Sequence, residues 1–284
     1  MEKVAGTYDY ARLDASGEGD RAAFRMEARA NEPASAAMFE ALVRPFLSPE
    51  PRRVLEVGAG TGALARRILT ATTKTEVVVT DKSEVMLEAA RRFLEPAPAG
   101  EQARATFVPW DAAAPRPEGA SGTFDLVLSS VMVPYLDDMT LRTLLASLRA
   151  SLAEGGTLVF VEQDLQTNSM HHAHYSEVRD LFVRKGTNEA PFLPFRLRGL
   201  LREAGFSVLP RRSFLWTSDS FVPYLRDLIG RACDEAVTAG RLPEARGAKL
   251  VGELEHASAQ GDFYYGLVYH AIAAKALSPA LTLR

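Results

Sequence analysis

Cysteine occurs once in the 284 residues, at Cys233, which leaves no internal disulfide and no multi-cysteine zinc site to stabilise the chain. No run of roughly 18 apolar residues is present to span a membrane. The first residues, Met1-Glu2-Lys3, lead into polar sequence without the apolar core of a secretory signal, so a cytoplasmic location is expected. An excess of charge of one sign is missing too. With 33 basic and 36 acidic side chains the net charge is -3, and no overall field draws the chain to nucleic acid or to an anionic membrane. Aromatic residues are 8% of the total with no visible cluster, and there is neither an internal repeat nor a low-complexity stretch.

What is present is the balance of an ordinary folded protein, 47% hydrophobic and 24% charged. The length suits one α/β domain with additions. Residues 1–33 read as a polar arm carrying Tyr8, Tyr10, Phe24 and a short helix near residues 21–29. From Ala34 to Leu47 apolar residues recur at three- and four-residue steps, the mark of a helix with one buried stripe. An alternation follows: strand 54–57, a glycine-rich turn and helix, strand 77–80, helix 83–94, strand 105–108, strand 125–129, helix 140–152 and strand 157–161. Ser83 reads as a helix cap, and Gly155-Gly156 as a tight turn between helix and strand. Alternating strands and helices predict a parallel sheet covered on both faces. Beyond it the pattern predicts helices over 171–184 and 196–204, a strand over 206–214, helices over 220–238 and 244–259, and a last strand over 263–275.

The strongest chemical signal is Val54-Leu55-Glu56-Val57-Gly58-Ala59-Gly60-Thr61-Gly62. Glycines at a strand-to-helix turn let a ligand approach the backbone, and the amides of the new helix favour negative charge. The site therefore suits a nucleoside-like ligand. Gly58-x-Gly60-x-x-Ala63 followed by Asp81 also satisfies a relaxed dinucleotide pattern, so the loop alone leaves two cofactor classes open.

Across roughly residues 34–214 the chain resembles the class I S-adenosylmethionine-dependent methyltransferases, most closely the broad UbiE-like group of bacterial small-molecule enzymes. The resemblance rests on Glu56 two positions before Gly58, on the order Gly58, Gly60, Gly62, on Asp81 ending Val77-Val78-Val79-Thr80-Asp81, on Asp111 after Phe107-Val108-Pro109-Trp110, and on Phe124–Val131 and Leu152–Leu158 as fourth strand and turn into the fifth. It implies a Rossmann-like three-layer sandwich whose seven-stranded, mostly parallel sheet ends in an antiparallel strand. It also implies S-adenosyl-L-methionine as cofactor. Glu56 with Gly58, Ala59, Gly60 and Gly62 would cradle the methionine part, Asp81 with Lys82 beside it the ribose, and Asp111 and Trp110 the adenine, with Ser129 counted in the same site. A carboxylate suits the ribose because it accepts two hydrogen bonds at once. The domains implied are the arm 1–33 and a methyltransferase domain 34–284 containing a helical insertion, 215–262, which is either a cover or a homodimer surface.

Methyl transfer asks the protein to align a nucleophile and to remove its proton. The candidates for that role are His171, His172 and His174 beyond the fifth strand, and Tyr135 after Pro134. No metal is expected, because on a helix His171 and His174 share a face while His172 points elsewhere. No Asn-Pro-Pro-Tyr or Pro-Cys motif follows the fourth strand, which disfavours DNA bases as acceptors. The expected activity is methyl transfer to an oxygen or nitrogen, less readily a carbon, of a small molecule. The alternatives are a non-catalytic or non-methylating S-adenosylmethionine-binding protein, or a nicotinamide-dependent oxidoreductase for which no Tyr-x-x-x-Lys proton donor is found. Tyr8, Tyr10, Tyr135, Phe192, Phe195 and Trp216 would suit a flat apolar acceptor.

Overall fold

A computed structural model of the chain describes residues 8–10, 12–171, 181 and 193–277. Its strands are β1 (Arg53–Val57), β2 (Glu76–Asp81), β3 (Ala105–Pro109), β4 (Phe124–Ser130), β5 (Leu152–His171), β6 (Phe206–Val208), β7 (Arg212–Ser218) and β8 (Tyr264–Ala276). They form one sheet in the order β3-β2-β1-β4-β5-β8-β6, with β7 also paired to β8. β1 to β5 run parallel, and β8 is antiparallel to β5, β6 and β7. Helices α1 (Gly19–Ala30), α2 (Pro33–Leu42), α3 (Ala63–Ala71), α4 (Glu84–Leu94), α5 (Asp138–Ser151), α6 (Leu193–Glu203), α7 (Pro223–Thr238) and α8 (Glu244–Gln260) surround it.

Because side chains alternate along a strand, the two faces of the sheet carry different cores. Val54, Val77, Val79, Leu126, Leu128 and Val159 pack on one side with Leu42, Ile68 and Leu69. Leu55, Val78, Val127, Leu158 and Phe160 pack on the other with Leu141, Leu144, Leu145 and Leu148 of α5. Burial on both faces explains why β1, β2 and β4 read as unbroken apolar runs. The caps follow the sequence. Ser83 Oγ accepts the Met86 amide at 3.2 Å, and Asp137 accepts the Thr140 amide at 2.8 Å.

Four expectations are corrected. The helix expected to run to Leu47 ends at Leu42 and tightens into a short 3-10 turn, Arg44–Leu47, because Pro45 can neither donate an amide nor clear the preceding turn. The strand expected over 206–214 is two strands, β6 and β7, parted around Pro210, which makes eight strands in place of seven. β7 continues through Ser218, so the helical connection starts after that residue. The helix expected to begin at His171 does not do so. β5 extends to His171, which pairs with Tyr264, because the long β8 supplies ladder partners up to Asp164 and again from Ser169, across an irregularity. Gly155 (φ 75°) and Gly156 lie inside β5 at an irregularity, where pairing steps from Phe124–Leu152 to Leu126–Thr157.

The segment before α2 is no loose appendage among the described residues. Tyr8 is 1% exposed, its hydroxyl lies 3.2 Å from both oxygens of Asp227 on α7, and Arg25 and Arg231 stack on its ring at 4.4 and 3.9 Å. Arg231 pairs with Glu18 at 2.8 Å, and Trp216, expected as a substrate-facing aromatic, is buried with its indole donating to Ser35 Oγ at 2.9 Å. Arm, α2 and α7 thus form one helical cap, tied to β7 through Trp216, beside the carboxyl ends of β1 and β4. No helix among the described residues is long and apolar enough to cross a membrane.

Candidate cofactor and acceptor site

The glycine loop leaves β1 with Gly58, Gly60 and Gly62 at φ 68°, 55° and 69°. Side chains rarely adopt these angles, so the loop needs glycine for its path as well as for ligand approach. A Cβ on Gly58 would meet Met132 Cγ at 2.4 Å, and one on Gly60 would meet Met26 Sδ of the arm at 2.8 Å. The loop is pinned from the next strand. Gly60 N–H donates to Asp81 Oδ2 at 2.8 Å and Ser83 N–H to Asp81 Oδ1 at 2.9 Å. Each carboxylate oxygen keeps a lone pair to spare, so Asp81 can still accept two hydroxyls.

Glu56, one residue before the end of β1, is almost fully buried, and its Oε2 has no hydrogen-bond partner among the described residues. Burial pushes its pKa up to about 8, against the pull of the Ala65 amide and of Arg66, with Asp81 adding to the rise. A buried carboxyl with an orphaned oxygen facing a glycine turn is what a ligand ammonium would satisfy. Glu56, Gly58 and Ala59 line a cavity that Met26, Arg29 and Ala30 of α1 and Ser35, Met38 and Phe39 of α2 close from the other side. Ser130 at the end of β4 and Val161, its partner midway along β5, form its floor. Arg66 pairs with Glu27 at 2.6 Å and Arg67 donates to the Ala30 carbonyl at 2.6 Å, so α3 holds α1 over the loop.

The remaining expected cofactor residues sit apart from this cavity's lining. Trp110 is 5% exposed in the core, its indole donating to the Ala114 carbonyl at 3.0 Å. Asp111 is exposed and accepts the Ala113 amide at 2.9 Å, closing a turn after β3. Lys82 is exposed, while Ser129 is fully buried with its hydroxyl unpaired.

Beyond the glycine loop, β4 ends in a distortion that the sequence does not announce. Val131 has φ 53°, a strained angle for a β-branched residue, with its N–H held on the Val161 carbonyl at 3.0 Å. The turn it makes lays Met132 over Gly58 and aims the Val133 amide at Glu162 Oε1, 3.4 Å away. Glu162, fully buried midway along β5, keeps Oε2 unpaired, and burial raises its pKa to about 8 despite the amides and Arg29.

Of the expected catalytic residues, Tyr135 stands here, its ring 4.9 Å from that of Tyr10. Burial first, then neighbouring Tyr10, pushes its pKa well above the usual phenol value, so it stays protonated at neutral pH. His171 ends β5, which removes the helix-face reasoning applied to it; His172 and His174 lie outside the described residues. Phe192 also lies outside them, and Phe195 is 51% exposed. Arg29, Glu162 and Tyr10 complete the cluster. Sequence reading gave Arg29 no role, since a lone arginine on an amphipathic helix carries no spacing signal.

Residues 54–156 match the family described as Methyltransferase domain. The chain is 32% identical over 159 residues to the 3-amino-4-hydroxybenzoate 4-O-methyltransferase of Streptomyces cremeus, a match covering 55% of this chain and 41% of that protein. It therefore spans less than half the length of that curated relative. Among solved structures, the pyocyanin biosynthetic protein PhzM is 20% identical with a TM-score of 0.52, covering 95% of this chain and 62% of the other. LaPhzM is 17% identical with a TM-score of 0.53, covering 96% and 63%. These two likenesses concern the fold. Residues 54–156, which match the methyltransferase domain, hold the glycine loop, Asp81 and Asp111.

Proposed function

We propose that the protein transfers a methyl group from S-adenosyl-L-methionine to an oxygen or nitrogen of a small molecule. The observation that carries this reading is Glu56. Its buried, unpaired Oε2 stands beside a glycine turn that only glycine can follow, with the Asp81 carboxylate fixed across the loop. These groups fit the ammonium and the ribose hydroxyls of the cofactor, which when bound supplies the electrophilic methyl group. The relative's printed activity, methylation of a phenolic oxygen, supports an oxygen acceptor.

The chain's own residues supply alignment, exclusion of water and a place for the proton. Met26, Met38 and Phe39 close the cavity with apolar surface, which strengthens the electrostatic contacts beneath them. Tyr135, protonated at neutral pH, donates a hydrogen bond to the acceptor. Glu162, with a pKa near the working range, takes the acceptor's proton on Oε2. His171, His172 and His174 stand as the rival site of proton removal at the end of β5 and beyond.

Calorimetry with S-adenosylhomocysteine, together with methyl release into a panel of phenols and amines, tests the reading. Heat of binding that disappears in Glu56→Leu supports it, and absence of binding by the wild type defeats it. Glu162→Gln should lower kcat while leaving the affinity for S-adenosylhomocysteine in place; an unchanged kcat moves the proton to another group.

A further inference from the structure

We infer that Arg29 is the anchor for a carboxylate on the acceptor, so that the substrates are flat aromatic acids. The inference rests on the methyl-transfer reading for calling the ligand an acceptor. Three observations carry it. Arg29 lines the cavity and is half-buried, and among the described residues it forms no ion pair with a carboxylate. The neighbouring arginines are engaged elsewhere: Arg25 with Asp227 at 3.5 Å and Tyr10 at 2.9 Å, Arg66 with Glu27, and Arg67 with the Ala30 carbonyl.

The groups around Arg29 are phenols. Its guanidinium lies 5.9 Å from the centre of the Tyr224 ring and is hydrogen-bonded to Tyr269, whose hydroxyl also accepts from Gln163 Nε2 at 2.7 Å. Tyr10 and Tyr135, edge to face, stand in the same surroundings. Phenols leave the positive charge uncancelled, and Glu162, the carboxyl that feels it, does not pair with it.

A guanidinium in an enclosed site is costly to bury without an anion, and its planar fork matches a carboxylate. The walls around it, Met26, Met38, Phe39 and Val161, are apolar. Apolar walls with an aromatic edge, and a fork-shaped cation that pairs with no carboxylate among the described residues, fit an aromatic ring bearing a carboxylate.

The test compares 4-hydroxybenzoate with its near-isostere 4-hydroxybenzamide on full-length protein saturated with S-adenosylhomocysteine. Wild type should bind the acid at least roughly tenfold more tightly than the amide, the range for a charge-assisted hydrogen bond. Arg29→Gln should erase that preference and Arg29→Lys should keep part of it. Equal binding of the two probes by the wild type overturns the inference, as does a preference that survives in Arg29→Gln. If Arg29→Gln weakens S-adenosylhomocysteine and leaves the acid-to-amide ratio intact, the arginine serves the cofactor's own carboxylate and the inference also fails. Should Arg29→Gln not fold, the wild-type ratio and its response to Tyr269→Phe, which frees one guanidinium N–H, still decide. Failure of the cofactor to bind at all would instead strike the methyl-transfer reading.

Discussion

The two walls of the cavity are built by different physics. The sheet wall, from Glu56 to Gly62 with Asp81 behind it, is held by backbone geometry between neighbouring strands: Ala59 N–H on the Thr80 carbonyl at 2.9 Å and Gly60 N–H on Asp81. The cap wall is held by side chains that meet across the whole chain, Tyr8 with Asp227, Glu18 with Arg231 and Ser35 with Trp216. A wall made of backbone bonds is specified by which residues can adopt its angles. A wall made of distant side-chain pairs is specified by their simultaneous presence, and it can open by breaking a few of them. One wall is thus fixed by backbone bonds between neighbouring strands, the other by side-chain pairs between distant elements.

Substituting the platform should have the largest effect. Gly60→Val has to occupy φ 55° and displace Met26 Sδ, so affinity for S-adenosylhomocysteine should become unmeasurable by calorimetry. The melting temperature should fall as well, since a left-handed angle costs an ordinary side chain about 1–2 kcal/mol. Retained affinity would remove the loop from the site.

Next in size is Asp81→Ala, which should weaken S-adenosylmethionine by about 2–3 kcal/mol, the range for lost charge-assisted hydrogen bonds. Because Asp81 also ties Gly60 and Ser83, part of the loss reports loop order. A 2′-deoxy cofactor analogue isolates the ribose share, since it should lose much less against the variant than against the wild type.

The cap comes third. Asp227→Ala leaves the Tyr8 hydroxyl and the buried Arg25 without their carboxylate and should cost about 1–3 kcal/mol of stability, measured by denaturant unfolding. Hydrogen exchange sharpens the comparison: if arm and α7 close as one unit, the described residues from 8 to 30 and those of α7 gain protection together when S-adenosylhomocysteine binds, and α3 changes less. Protection confined to the glycine loop would make the cap a fixed ornament.

The last effect is a pH slope, read over a range and not at one pH. Glu56 and Glu162 have pKa values near 8 in the folded chain, above the usual 4.5. Between those values the folded state holds protons that the unfolded state has released. Their stabilising contribution is complete below about pH 4 and declines as pH rises towards 8, by up to about 1.4 kcal/mol per pH unit for each group. Glu56→Gln and Glu162→Gln should each flatten the unfolding free energy across that interval. An unchanged slope would mean that the carboxyls are ionised in the folded state.

Much of the platform was legible in the sequence because it depends on local rules. The run Val54–Val57 followed by alternating glycines, the capping Ser83 and the acid at the end of Val77–Asp81 all stand where the pattern puts them. Legibility failed where a partner strand or a proline took over. β8 drew β5 out as far as His171, so that residue does not open a helix, and Pro210 split one expected strand into two.

The sequence by itself determined the order of strands and helices and the glycine loop, because periodicity, caps and allowed backbone angles act over a few residues. Only the tertiary structure decided which side chains face the cavity. It buried Tyr8 and Trp216, drew Tyr10 up to Tyr135, set Arg29 among phenols with no ion pair among the described residues, and bent Val131 so that two amides turn towards Glu162. The physical reason is range. Those arrangements depend on desolvation and on contacts between residues as far as 219 positions apart, and no local pattern records either.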